Sequence, residues 1–378
     1  MKRIGLYIHI PFCMKKCNYC DFVSVANHLI IPDYIKALSI EIQSKATPDF
    51  QVDTIYLGGG TPSILNAEDL SFIFQSIKNN WQIEKKPEIT IEINPGTVSD
   101  HKIQSWLQLD INRVNLGVQS FHDHLLQQLG RIHNAKTAHH TIQKCIKAGF
   151  KNIGLDLIYG IFDQRLDEWQ KDLQLAMGYH PQHLSCYSLT YEPGTPLYRK
   201  LQKKQMTPLP DTTVRQMMYH LFQLMKENKY DHYEISNFAS STSFRSKHNQ
   251  KYWNGKPYIG LGASSHSFFG NKRFWNISNV DAYIQKIFSG CDPVENVEHL
   301  TIEQQMIEFI FLGLRQREGI LIHTFENRFP YCFAELFSDG LKELESEGYL
   351  EVSHMSCRLS DRGTYFLDSI CQRLIDML

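Results

Sequence analysis

Short β-rich runs alternate with longer runs of helical periodicity through the first half of this chain, and that alternation restricts its fold more than any other feature. Ile4–Ile10, Thr54–Leu57, Glu88–Ile93, Arg113–Val118, Asn152–Leu157 and His183–Leu189 read as strands. Pro32–Lys45, Ala67–Asn79, His101–Leu107, Ala135–Ala148 and Leu166–Met177 read as the amphipathic helices between them. Such βα units in series require a parallel sheet with helices packed outside it, and right-handed crossovers curl that sheet one way. Six units, against the eight of a closed barrel, predict an α/β incomplete (βα)6 barrel open on one side to a substrate. A doubly wound open sheet fits the same alternation. In both folds the site lies at the C-terminal ends of the strands.

Polar and glycine-rich residues fall at those ends. Gly58-Gly59-Gly60-Thr61-Pro62 follows the second strand, where glycines let backbone groups approach a ligand closely. Glu92 ends the third strand, Gln119-Ser120-Phe121 the fourth, and Asp156 lies in the fifth before Tyr159-Gly160. Taken singly, a glycine turn is common and a strand-end carboxylate caps the next helix. One polar group at each successive strand end forms a constellation.

The first strand runs into Cys13, Cys17 and Cys20, spaced C-x3-C-x2-C with no fourth cysteine nearby. Three thiolates in one tight loop can hold three irons of a [4Fe-4S] cluster and leave the fourth iron free to chelate a small molecule. A structural zinc site normally has four protein ligands, and neither His9 nor His28 stands at a usual ligand spacing. A disulfide framework fits poorly, because the nine cysteines are an odd number and Cys145, Cys186, Cys291, Cys332, Cys357 and Cys371 are scattered singly.

The 378 residues are enough for one large domain and a smaller one. A net charge of −1 gives no bulk drive toward nucleic acid or anionic membrane. No apolar run is long enough to span a bilayer. The apolar stretch after Met1-Lys2-Arg3 contains His9 and lacks a small-residue cleavage site, so it does not read as a signal peptide. The expected location is the cytoplasm, which suits an oxygen-sensitive cluster and free thiols.

Tyr7-Ile8-His9-Ile10-Pro11-Phe12-Cys13, Cys17-Asn18-Tyr19-Cys20-Asp21-Phe22, Gly58-Gly59-Gly60-Thr61-Pro62, Leu116-Gly117-Val118-Gln119-Ser120-Phe121 and Gly130-Arg131-Ile132-His133 together resemble the radical S-adenosylmethionine (SAM) family of oxygen-independent coproporphyrinogen oxidases. Within it the chain is similar to the heme-chaperone branch. Phe22 stands where the oxidase-type enzymes carry a fourth cysteine, their long N-terminal extension is missing, and His248-Asn249-Gln250-Lys251-Tyr252-Trp253 matches the HNxxYW motif of the chaperones. The resemblance implies a radical-SAM barrel in which Cys13, Cys17 and Cys20 bind the cluster and SAM completes the open iron. It places Gly59, Gly60 and Thr61 at the methionine ammonium, Glu92 on SAM, and Tyr7 and Tyr19 near cluster and adenine. Gln119, Arg131, Asp156 and Thr190 match residues that hold a second SAM in the oxidase-type enzymes. It further implies heme handling by His248, Asn249, Tyr252 and Trp253, an electron donor for the cluster, and an unidentified protein that accepts heme, membrane-bound acceptors included. The alternative it leaves is a coproporphyrinogen III oxidase, a radical decarboxylase.

After a break at Leu209-Pro210-Asp211, a helix is expected from Thr212 to Asn228. Tyr233–Trp275 is polar, glycine-containing and dense in aromatics; a planar, apolar macrocycle needs aromatic and aliphatic walls plus an axial donor, and this segment offers both. Among 17 histidines, His248, His266 and His9 are eligible axial donors. From Thr301 the pattern changes to helices at Ile302–Leu314, Ile322–Phe329 and Glu335–Glu347, a hairpin from Tyr349 to Ser360, and a closing helix, a winged-helix-like α+β module. Its Glu335–Glu347 stretch is acidic, which is wrong for phosphate contacts, so it reads as a lid or protein-contact module. The division expected is 1–230 for the barrel, 231–295 for the aromatic-rich connection and 296–378 for the C-terminal module.

Overall fold

The computed structural model describes residues 1–378. The barrel half runs β1 (Lys2–Ile10), α1 (Ile31–Ser44), β2 (Phe50–Gly59), α2 (Ala67–Asn80), β3 (Gln82–Ile93), α3 (Asp100–Gln108), β4 (Arg113–Gln119), α4 (Asp123–Gln128), α5 (Ala135–Ala148), β5 (Ile153–Tyr159), α6 (Leu166–Met177) and β6 (His183–Ser188). The helices start where short polar side chains cap them: Asn66 accepts from the amide of Asp69, Ser99 from Lys102 and Asn134 from Thr137. Helix α5 stops at Gly149, whose φ of 98° takes the left-handed conformation that ends helices.

Strands β1 to β6 lie side by side in chain order and pair in parallel. A doubly wound sheet reverses its strand order at a switch point; none occurs here, so the incomplete barrel is the fold. It does not close. The stretch after β6 holds α7 (Pro196–Gln202), α8 (Asp211–Glu227), β7 (Asp231–Glu234), β8 (Asn237–Ala239), α9 (Lys247–Trp253), β9 (Tyr258–Leu261), β10 (His266–Phe269), β11 (Lys272–Asn276), α10 (Val280–Phe288) and β12 (Val294–His299). β8 and β7 extend the edge at β6, while β9 to β12 extend the edge at β1, giving a twelve-stranded sheet. The aromatic-rich stretch thus forms both flanks of the barrel's open side.

The C-terminal module comprises α11 (Ile302–Arg315), β13 (Ile320–Leu321), α12 (Ile322–Arg328), α13 (Phe333–Leu336), α14 (Ser338–Ser346), β14 (Leu350–Val352), β15 (Ser356–Leu359) and α15 (Leu367–Ile375). Its three strands form a separate sheet in the order β13-β15-β14. The expected helix Glu335–Glu347 is split at Phe337, whose ring is buried with Phe325, Phe329 and Phe333 in the module's own core. The larger core lies between the barrel strands and their helices and does not include these residues.

Candidate functional site

The C-terminal ends of β1 to β6 surround a cavity of ≈ 1180 Å³, roofed on one side by Thr364–Ser369 of the C-terminal module. Cys13, Cys17, Cys20, Tyr19, Gly59, Gly60, Thr61, Glu92, Gln119, Arg131, Asp156 and Thr190 all line it. Residues up to 177 apart in sequence therefore meet at one place, as parallel strands ending on one side require.

The three cysteines are free, half-buried thiols. The Thr61 hydroxyl lies 3.4 Å from the Cys13 sulfur, and the Arg131 guanidinium donates to the Cys17 sulfur at 3.4 Å and to the Gly117 carbonyl at 2.8 Å. A guanidinium beside a sulfur ligand offsets thiolate charge. No three His, Cys, Asp or Glu side chains gather tightly enough for a single metal ion. Cluster ligands instead bind separate irons. The polar wall is incompletely satisfied: Asp156 Oδ1, Asn115 Oδ1 and Arg131 Nε are buried without a protein partner. Such groups suit a polar ligand. A methyl group on Gly60 would lie 2.8 Å from the carbonyls of Ile10 and Phe12, so only glycine fits between the cluster loop and β2. These features fit a cluster with a polar, zwitterionic ligand above it.

Glu92 is held from behind. The Tyr56 hydroxyl donates to its Oε1 at 2.7 Å. Burial pushes its pKa up to about 7, against the hydrogen bond from Tyr56. Asn115 donates to Asp156 at 2.6 Å, and burial also raises the Asp156 pKa. Gln119 sits at φ 69°, a left-handed conformation that costs a non-glycine residue about 1–3 kcal/mol. The buried Asp172 stabilises the turn after it, accepting from the Ser120 hydroxyl at 2.7 Å and the Phe121 amide at 2.6 Å.

Tyr56, Asn115, Arg215, Arg315 and the Thr364–Ser369 segment were not picked out in the sequence. Asn115 had a signal, since it shares one face of β4 with Gly117 and Gln119 at two-residue spacing. The others come from tertiary placement alone.

Tyr7, His248, Asn249, Tyr252 and Trp253 are not among the cavity's lining residues. Tyr7 packs behind it, 6.2 Å from the Tyr56 ring, with its hydroxyl 3.1 Å from His9 Nδ1. The HNxxYW motif forms α9. His248 is 1 % exposed, with Nδ1 2.8 Å from the Thr54 hydroxyl and Nε2 2.8 Å from the Tyr252 hydroxyl. Its ring stacks on Tyr56 at 5.1 Å. Burial, with Lys251 and Arg113 nearby, lowers its pKa to about 3. The Arg315 guanidinium lies 4.7 Å over the Trp253 ring and forms a 2.9 Å ion pair with the buried Glu234.

Residues 7–176 match the model of the Radical SAM superfamily, and residues 300–366 that of the HemN C-terminal domain. Over its length the chain is similar to heme chaperone HemW of Lactococcus lactis subsp. lactis, at 33 % identity covering 99 % of this chain and 98 % of that one. It is similar also to heme chaperone HemW of Escherichia coli, at 35 % identity over 98 % and 97 %, and to that of Buchnera aphidicola subsp. Acyrthosiphon pisum, at 40 % over 98 % and 97 %. The chain belongs to the HemW family of radical SAM proteins. Membership of the superfamily implies a [4Fe-4S] cluster and SAM for this HemW-family protein. The solved coproporphyrinogen III oxidase HemN from Escherichia coli has the same fold, with a TM-score of 0.86 over 100 % of this chain and 91 % of that one at 21 % identity. No helix of the chain is long and apolar enough to cross a membrane.

Proposed function

We propose that this protein is a heme chaperone: it binds heme as cargo and passes it to an acceptor protein, with a [4Fe-4S] cluster and exchangeable SAM as resident cofactors. The observation that carries this reading is the likeness to heme chaperones over 98–99 % of the chain. Cys13, Cys17 and Cys20 hold the cluster, and Gly59, Gly60 and Thr61 offer backbone groups to the SAM ammonium. Glu92 accepts hydrogen bonds from the same ligand, Tyr19 packs beside it, and Gln119, Arg131, Asp156 and Thr190 form the farther polar wall. When bound, the cluster and SAM supply one-electron chemistry at the sulfonium.

The chain's own residues set the conditions for that ligand. Arg131 offsets charge at Cys17, Tyr56 orients Glu92, and Asp172 holds the turn that aims Gln119. The roof at Thr364–Ser369 limits water entry on one side. An electron donor and a heme acceptor complete the list of partners, and α9 contributes Tyr252 and the flanking Asn249 and Trp253 to the heme surface. His248 braces that surface from within.

The test is transfer itself. Hemin-loaded protein, with or without reconstituted cluster and SAM, is mixed with membranes from heme-depleted cells, and heme in membrane hemoproteins is followed by absorbance. The expected result is transfer that is faster with cluster and SAM. Failure to load hemin, or to release it to any hemoprotein, would overturn the proposal.

A further inference from the structure

The three eligible histidines differ in what their ring nitrogens do. Both nitrogens of His248 are engaged by hydroxyls inside the fold. His9 is 3 % exposed, with Nδ1 on the Tyr7 hydroxyl and Nε2 on the Val23 carbonyl. His266 on β10 is exposed, and neither of its nitrogens has a hydrogen-bond partner in the protein.

Strand register shows where His266 points. Gly5 and Tyr7 of β1 pair with Tyr258 and Gly260 of β9, and Tyr7 faces the barrel lumen beside Tyr56. Tyr258 pairs with Phe268, and His266 lies two residues from Phe268 on the same strand face. His266 pairs in turn with Trp275 of β11. Tyr258, Phe268, His266 and Trp275 thus line one face of the sheet extension, the lumen face. The Tyr252 ring of α9 meets Tyr258 edge-on at 4.6 Å, Tyr258 lies 6.4 Å from Phe268, and His266 stacks on Trp275 at 5.6 Å. These contacts form two groups on that face, Tyr252–Tyr258–Phe268 and His266–Trp275, and Arg273, which pairs with the buried Phe268, shares the face with them.

We infer that His266 supplies the axial nitrogen to heme, a planar iron macrocycle laid against the half-buried Tyr252, Tyr258 and Trp275 rings of that face. This assignment rests on the heme-chaperone reading above. A neutral imidazole is what iron requires. Partial burial and the cation of Arg273, which is itself paired with Glu308 at 2.6 Å and Glu298 at 3.8 Å, keep the His266 pKa below the usual histidine value. His9 on β1, one strand beyond β9, is buried and held neutral as well, at about 4. Aromatic walls supply the apolar contact that a macrocycle needs.

Hemin is titrated into the full-length, cluster-reconstituted protein, and the visible spectrum of the bound iron is compared across variants. Wild type is expected to show imidazole ligation. His266→Ala should lose that signature and bind at least about tenfold more weakly, and free imidazole should restore the spectrum. A purely structural role for His266 would not give that rescue. His248→Gln, which can still bond Thr54 and Tyr252, should keep the signature. An unchanged spectrum in His266→Ala, or its loss in His248→Gln alone, would overturn the assignment while leaving the chaperone reading intact. Absence of stoichiometric hemin binding by wild type would overturn both.

Discussion

At the barrel's strand ends and on helix α9, two dense motifs use their polar atoms in opposite ways. Around the cavity, three free thiols and the buried Asp156 Oδ1, Asn115 Oδ1 and Arg131 Nε have bonding capacity that the protein leaves open. On α9, both nitrogens of His248 are taken up, its amide donates to Glu88 at 3.0 Å, and the Lys251 ammonium meets Asp53 at 2.8 Å. The first pattern is that of a ligand site. The second, at His248 and Lys251, is that of a brace, which fixes α9 to β2 and β3. Within a motif, the free valence of polar atoms therefore separates side chains that can meet a polar ligand from those that hold the fold.

Five variants break or sharpen this contrast. Cys17→Ala should abolish the iron–sulfur absorbance of the reconstituted protein completely, whereas His248→Gln should leave it unchanged; loss in both would erase the distinction between the two regions. Arg315→Ala leaves Glu234, 0 % exposed, without its cation. It should cost about 3 kcal/mol of stability in denaturant unfolding and speed proteolysis of the C-terminal module, which Arg315 joins to Trp253. A loss within error of zero would mean that the roof is seated elsewhere.

Tyr56→Phe removes one hydrogen bond to Glu92 and should weaken SAM binding about tenfold in equilibrium dialysis. In a Glu92→Gln background the same change should have little further effect. Equal weakening in both backgrounds would show that Tyr56 does not act through Glu92. The smallest effect concerns pH. His248 is held at about 3 by burial, below the unfolded value of about 6.5. The unfolded chain takes up the proton first, so folding loses stability as pH falls below about 6.5, by up to about 1.4 kcal/mol per unit for this group. The slope of melting temperature between pH 6.5 and 5 should flatten in His248→Gln. An identical slope would place the sensitivity in His9, His133 or His232, which burial also holds at about 4.

The barrel was legible because parallel strands buried on both faces, and helices with polar caps, are local patterns. The cavity residues were legible because a strand end is where a polar residue has no packing reason to be. β9 to β12 were missed: they are short, the aromatic residues of β9 to β11 read equally well as the lining of a ligand site, and β12 is mostly polar. The state of His248 was hidden for a different reason. Thr54 reaches it across 194 positions, and no local pattern announces such a partner. The same holds for Tyr56 behind Glu92 and for Arg315 beneath the roof.

The central claim is that this fold handles heme rather than making its precursor. The most direct test is one anaerobic incubation of cluster-reconstituted protein with reductant, SAM and coproporphyrinogen III, with products identified by mass spectrometry. The account predicts no protoporphyrinogen IX, whether or not 5′-deoxyadenosine forms. Protoporphyrinogen IX with matching 5′-deoxyadenosine would contradict it and make the protein a decarboxylating enzyme.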